Sequence, residues 1–381
     1  MAPTTTPHIA PIAGGVELFR SCLVSTQYPG VEAATRWLFD QLDVEYVVNP
    51  DQTCCTGLGY YTDVVSFPTT VAVAARNACV AVEAGHPVQA YLCSTCYAVN
   101  KKAREALEDP EQRRRTNQVL GRVSRRYDDA VARTVEHRHV LEILWSRHPS
   151  IRGLVRRRLT GLKVATHPAC HYCKVFPDEV LGDGEDLMLP EDLLEPTGVT
   201  RTGYHPEKAT HCGAGFRQRF VNPAMSMAVT REKLRRLAEQ GVDVCVHMCP
   251  NCHIQFDRFH DVISQTAAED YPLVHLHVQQ LLALALGADP DTVCGVEAHS
   301  QDLEPLLERI GARERRSVRA AAGAAPTAAA DIGPTADGAR PGWSPARGWS
   351  SSPKVAPPSP TPTAPSPSRP SGRRGRDHPS C

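Results

Sequence analysis

Between residues 16 and 108 the apolar positions switch repeatedly between short strand-like runs and longer stretches with helical spacing. Val16, Leu18 and Phe19 form a short apolar run that ends just before Cys22, and residues 31–42 place Ala34, Leu38 and Leu42 at four-residue intervals. Residues 44–48 read as a second strand leading to Cys54-Cys55. Residues 69–84 then read as an Ala-rich helix with Val71, Ala75, Ala78 and Val82 on one face. A third strand over 88–92 ends at Cys93, and helical spacing resumes over 97–108. Strands alternating with helices predict α/β layers. These cysteines fall where strands end, which is where open α/β sheets bind ligands.

A second round of the pattern follows. Residues 162–166 lead to Cys170, a loop leads to Cys212-Gly213, residues 224–240 are helix-patterned, and residues 242–246 run into Cys249 and Cys252. Such self-similarity indicates an internal duplication. The expected fold is α/β, with two tandem duplicated Rossmann-like halves over 16–150 and 151–316 and metal-binding loops at the strand C-terminal ends. Between the halves runs a helical, Arg-rich stretch including Arg113-Arg114-Arg115, Arg125-Arg126 and Arg156-Arg157-Arg158. It reads as a solvated helix face with Val119, Val123, Tyr127 and Val131 turned inward, the alternative being a docking surface for an acidic partner. Residues 1–15 are expected to be flexible. Residues 317–381 are rich in Ala, Pro, Ser and Thr and are expected to be disordered, with Arg373-Arg374-Gly375-Arg376 solvated and Cys381 a bystander.

Composition narrows the partners. The 381 residues are 41% hydrophobic, enough for packed cores, and 42 basic side chains offset 42 acidic ones. A net charge of zero gives no global attraction for nucleic acid or an anionic membrane. The first fifteen residues have neither a basic nor an apolar leader segment, and no apolar run reaches membrane-spanning length. The expected location is the cytoplasm. Fourteen cysteines in a reducing compartment point to metal binding or catalysis rather than to a disulfide framework.

The cysteine spacing carries the chemistry. Cys22, Cys54-Cys55, Cys93 and Cys96 supply five thiolates, one more than a tetrahedral zinc can use, and adjacent thiolates can reach different atoms of a polynuclear cluster. This favours iron–sulfur over a four-Cys zinc site with one spare thiol. The second half repeats the spacing through Cys170, His211-Cys212, Cys249 and Cys252, with His211 at the position of the first cysteine of the pair. Three occupants fit: a cluster with His211 as fifth ligand, an ordinary four-Cys cluster, or structural zinc. Cys173 and Cys245 are substitute ligands, although Cys245 in its apolar strand reads as a small buried thiol.

With both motif copies in place, the chain resembles the CCG-domain family, which includes the catalytic B-type component of heterodisulfide reductase. The likeness spans residues 16–300 and extends to His167-Pro168-Ala169-Cys170-His171-Tyr172 and Cys249-Pro250-Asn251-Cys252-His253. It implies a noncubane [4Fe-4S] cluster on Cys22, Cys54, Cys55, Cys93 and Cys96. In the second copy it carries over only Cys170, Cys212, Cys249 and Cys252. The implied activity is thiol–disulfide or persulfide conversion in one-electron steps. Implied partners are a ferredoxin-like C-type subunit, a flavin-bearing A-type subunit, and a disulfide substrate or sulfur carrier. No Gly-rich dinucleotide fingerprint follows a strand, so flavin or nicotinamide chemistry belongs to others. His171 and His253 each follow a proposed ligand and are candidate proton donors, with a structural hydrogen-bonding role as the alternative. Two rival readings are an electron-transfer subunit of a succinate dehydrogenase- or lactate/glycolate-oxidising complex, and a two-zinc scaffold without redox activity.

Overall fold

Eight short strands make two parallel sheets in a computed structural model that describes residues 6–12, 15–215 and 217–313. The first sheet contains β1 (Val16–Phe19), β2 (Tyr46–Val47), β3 (Val88–Tyr91) and β4 (Glu136–His139) in the order β2-β1-β3-β4. The second contains β5 (Lys163–His167), β6 (Thr200–Arg201), β7 (Val244–His247) and β8 (Val274–His277) in the order β6-β5-β7-β8. The duplication read from the sequence is thus a repeated topology, giving two tandem Rossmann-like halves, and both sheets lie within one compact unit. β1, β3 and β7 are buried along their whole length, as expected for parallel strands covered on both faces.

The helices follow from local signals. Phe67–Glu83 starts at Ser66, whose side chain accepts a hydrogen bond from the Thr69 backbone N–H, and it buries Val71, Ala74, Ala75 and Ala78. Pro223–Glu239 likewise starts at a cap, with the Asn222 side chain accepting from the Met225 N–H. The fourth strand of each sheet lacks a continuous apolar run, because β4 reads Glu-His-Arg-His and β8 alternates as Val-His-Leu-His. Their alternate residues His137, His139, His275 and His277 are nonetheless buried, as neutral imidazoles tolerate.

The Arg-rich connection differs from expectation. Pro110–Leu120 is helical, but the chain tightens into a 3₁₀ turn at Gly121–Val123 and passes through Ser124 with φ of 56°. The apolar stripe is thereby broken: Val119 and Val123 are about half exposed, while Tyr127 and Val131 pack inward. Its arginines pair within the chain, Arg114 and Arg115 with Glu111 and Arg125 with Glu83. Of the N-terminal fifteen residues, Thr6 donates its backbone N–H to Asp192 and the Pro7 carbonyl accepts from Trp145 Nε1. The tail over 317–381, with its basic cluster and Cys381, lies outside the described residues. Among those residues no helix is long and apolar enough to cross a membrane.

The two halves interlock. Tyr28 Oη donates to Asp257 Oδ2 at 2.7 Å, and Ser94 Oγ donates to the Met248 carbonyl at 3.1 Å. Gly30 lies so close to the second half that a Cβ there would sit 2.0 Å from the Cys294 carbonyl oxygen, so only glycine fits.

One buried acid in β1 makes stability depend on pH. Glu17 is fully buried, and Gln89 Nε2 donates to it at 3.3 Å. Burial pushes its pKa up from 4.5 to about 7. Above pH 4.5 the unfolded chain has released this proton while the folded protein still holds it, so stability falls between those two values and stays reduced above them. Glu17→Gln should therefore raise unfolding free energy at pH 8 by on the order of 2–3 kcal/mol and change it little at pH 4.5. Urea titrations at the two pH values check this, and an equal effect at both would contradict it.

Candidate metal centres

In each half the strand order reverses between its first and third strands, and the loops leaving those two strands diverge to leave a crevice. The cysteines occupy it. Cys22 opens the helix Cys22–Gln27 directly after β1, and Cys54-Cys55 lie in the loop after β2. Cys93 caps the helix Ser94–Ala106 after β3, and Cys96 sits in its first turn. Cys55 Sγ and Cys96 Sγ are 3.1 Å apart, and hydrogen-bonded contacts link Cys22 to Cys54, Cys54 to Cys55, and Cys96 to Cys93. Thr56, held at φ of 58°, aims its backbone N–H at Cys54 Sγ at 3.4 Å, and the Gly57 N–H is 3.3 Å from Cys55 Sγ.

Thiols this close oppose one another's ionisation. The hydrogen bond from Cys22 holds Cys54 down to about 2, and the same contact pushes Cys22 up. Cys55 is pushed up to about 12 by Cys54. Bound metal cations would let all five be thiolates together. Five converging sulfurs, two of them receiving backbone N–H groups, fit an iron–sulfur cluster better than a single zinc.

The second set is built alike. Cys170 opens the turn Cys170–Cys173 after β5, Cys212 lies in the loop after β6, and Cys249 caps the helix Pro250–Asp257 with Cys252 in its first turn. Hydrogen-bonded contacts link Cys212 to Cys252 and Cys252 to Cys249. The Ala214 N–H is 3.4 Å from Cys212 Sγ, and the Gly213 N–H donates to His211 Nδ1 at 3.0 Å. These two bonds repeat those at Cys55 and Cys54, so His211 occupies the structural position of Cys54, and both residues are exposed. Gly213 is at φ of 94°, and a Cβ there would meet the Ser226 carbonyl oxygen at 2.3 Å. Cys173 and Cys245 are buried within the hydrophobic core.

One residue that the spacing does not single out stands beside this set. His167, the last residue of β5, places a ring nitrogen, Cys212 Sγ and Cys252 Sγ within 4.8 Å of one another. The sequence signal is the His-x-x-Cys spacing of His167 and Cys170. A half-buried and a buried cation add positive field nearby. Arg219 donates to the Asn251 carbonyl at 3.1 Å, and Lys233 donates to the Lys208 and Thr210 carbonyls at 2.9 and 2.6 Å. Burial lowers Lys233 to about 8, and the neighbouring thiols work against that shift.

The two sets face one another. Cys93 of the first and Cys249 of the second are in hydrogen-bonding contact, and Thr95 Oγ1 lies 3.9 Å from Cys249 Sγ. Beside them lies a small cleft, a cavity of about 30 Å³, lined by Cys22, Cys55, Cys93 and Cys96 from one half and by His171, Arg217, Phe220 and Asn251 from the other. His171 Nδ1 is 3.5 Å from Thr95 Oγ1, and its ring packs on Tyr61 at 4.4 Å. Burial holds this imidazole neutral, lowered to about 4. His253 lines no part of the cleft. It stacks on Tyr28 at 4.2 Å and lies 3.3 Å from the His275 carbonyl oxygen through Nε2.

Two parallel α/β sheets that bring two thiol sets into contact at Cys93 and Cys249 define a cysteine-rich, iron–sulfur type of redox protein. The chain belongs to the CCG family, whose cysteine-rich domain matches residues 16–99 and again 164–257. It is 42% identical over 302 residues to the B-type component of the ferredoxin:CoB-CoM heterodisulfide reductase of Methanosarcina acetivorans, covering 77% of this chain and 95% of that protein. It is also 25% identical over 218 residues to the 8-methylmenaquinol:fumarate reductase membrane anchor subunit of Wolinella succinogenes, covering 57% of this chain and 74% of the other. A crystal structure of a hypothetical protein from Helicobacter pylori shares the fold, with TM-score 0.57 and 14% identity over 77% of this chain and 53% of that one. Family membership makes this chain an iron–sulfur oxidoreductase subunit.

Because Cys55 is buried at the centre of the first set, Cys55→Ala should remove the iron and sulfide of that set, about four of each for a [4Fe-4S] unit. Metal at the second set should remain. Iron and acid-labile sulfide assays with paramagnetic resonance check this, and full retention would overturn the ligand assignment.

Proposed function

We propose that this chain interconverts a disulfide and two thiols in the cleft between its two metal centres, as the catalytic subunit of a heterodisulfide-reductase-like complex. The observation that carries the proposal is the contact of the two thiol sets at Cys93 and Cys249, with second-half residues His171, Arg217 and Asn251 facing the first set beside it. On this reading Cys22, Cys54, Cys55, Cys93 and Cys96 hold a noncubane [4Fe-4S] cluster, and Cys170, Cys212, Cys249 and Cys252 hold a second cluster or zinc. When bound, such clusters supply electrons singly and offer iron to sulfur.

The residues around them supply the rest. Reduction of a disulfide takes two electrons and two protons and yields two thiols, and the reverse returns them, with the direction set by the partner potentials. His171, facing Thr95 Oγ1 from the cleft wall, is placed to hydrogen-bond a departing sulfur, and as a neutral imidazole it relays a proton only after taking one up. Arg217, ion-paired with Asp63, offers charge to an anionic substrate end in exchange for that partner, and Phe220 offers an apolar wall. In this proposal the electrons come from partners, a ferredoxin-like C-type and a flavin-bearing A-type subunit.

A second reading is an electron-transfer subunit that cleaves no disulfide, favoured by the likeness to the fumarate reductase subunit and by the missing fifth thiol at His211. One experiment separates the two. Coenzyme M or coenzyme B, the thiols in the name of the Methanosarcina relative, is added to the oxidised, anaerobically purified protein while its paramagnetic spectrum is recorded. A changed cluster spectrum is expected from sulfur binding. An unchanged spectrum, with electron transfer intact, would favour the second reading.

A further inference from the structure

The second metal set lacks one thiol relative to the first, and the fold supplies a different donor for it. His211 stands in the place of Cys54, but its Nδ1 already accepts the Gly213 N–H at 3.0 Å. A thiolate in that position keeps further lone pairs for a metal after accepting such a bond, whereas a neutral imidazole has one acceptor nitrogen, here Nδ1, and its Nε2 carries the ring proton. His211 is also exposed to solvent.

His167 is its opposite in every respect. It is fully buried, and among the described residues neither Nδ1 nor Nε2 has a hydrogen-bond partner. Its ring packs against Phe256 at 4.9 Å and His247 at 5.7 Å, contacts that satisfy no nitrogen. A buried imidazole with both nitrogens unpaired is costly and calls for an ion or other partner. One of its nitrogens shares a 4.8 Å neighbourhood with Cys212 Sγ and Cys252 Sγ, a span that small side-chain movements close around a metal bound at about 2.0–2.3 Å.

Comparison of the two halves sharpens the point. His167 lies three residues before Cys170 and pairs in register with His247, two residues before Cys249. The matching residue of the first half is Phe19, three before Cys22 and in register with Tyr91, two before Cys93. Phenylalanine serves there because five thiols already complete the set. The half with no thiol at 211 is the half with an imidazole at 167.

We propose that His167, rather than His211, supplies the nitrogen ligand of the second metal centre, alongside Cys212 and Cys252. This rests on the reading of the second thiol set as a metal centre. It gives that centre a mixed sulfur–nitrogen donor set and the first an all-sulfur one. Histidine ligation of an iron–sulfur centre raises its potential, and with zinc the same set makes a Cys/His structural site.

The test compares the full-length wild type with His167→Phe and His211→Ala after anaerobic purification. His167→Phe installs the side chain that the matching first-half position already accommodates, and His211→Ala alters an exposed position. Directly bound nitrogen is read by electron spin-echo modulation if the centre is paramagnetic iron and by zinc-edge X-ray absorption if it is zinc. The wild type and His211→Ala should both show one bound imidazole nitrogen. His167→Phe should lose it, and should release second-site metal to a chelator at least tenfold faster while keeping the iron of the first set. A nitrogen signal that persists in His167→Phe, or disappears in His211→Ala, would overturn the assignment. The His211→Ala arm decides even if His167→Phe fails to fold. A wild type with no metal beyond the first set would instead overturn the underlying reading of that set as a centre.

Discussion

The structure turns on one constraint: the carboxyl ends of two parallel sheets converge, so that thiols separated by more than 150 residues meet at Cys93 and Cys249. Thiols gathered this way do not all ionise without a cation, because each ionised sulfur suppresses the next. The loops nevertheless aim them at common points, with backbone N–H groups of Thr56, Gly57 and Ala214 directed at sulfur. Folding and metal loading are coupled in such an arrangement, since the metal satisfies donors that the packed chain leaves facing one another.

The contacts that bring the halves together also define the cleft. Ser94 and His139 both reach the Met248 carbonyl, one residue before Cys249, and so tie the two CxxC elements to each other. Tyr28 is held by Asp257, and Gly30 is pressed against the Cys294 carbonyl. Relative movement of the halves would separate the thiol sets and open the cleft beside Thr95 and His171. A fixed mutual position is what the proposed disulfide chemistry requires, since it holds both sets against one substrate.

Much of this is legible in the sequence, and the parts that are not have physical reasons. The central strands β1, β3, β5 and β7 show as apolar runs, and with them the duplication, because covered parallel strands must be apolar. The edge strand β4 escapes such a reading because its buried side chains are histidines, which no hydropathy pattern marks as core, and in β8 histidines alternate with Val274 and Leu276. Val119 and Val123 depart from the inward face expected of them because a 3₁₀ turn and a left-handed Ser124 end the helical period there. At the site, spacing brings forward the thiols that the structure assembles, while the cleft residues Tyr61, Thr95, Arg217 and Phe220 come from elements whose approach only the tertiary fold reveals. His167 has a local signal in its distance from Cys170, but its burial and unpaired nitrogens belong to the fold alone.

The central claim is that the two thiol sets hold two metal centres side by side at the meeting of the sheets. Anomalous scattering at the iron edge from anaerobically grown crystals tests it most directly. Iron density is expected within the first thiol set beside Cys55 and Cys96, with a second metal peak among Cys212, Cys249 and Cys252 on the other side of the Cys93–Cys249 contact. Iron bound elsewhere, with both thiol sets empty, would contradict the account.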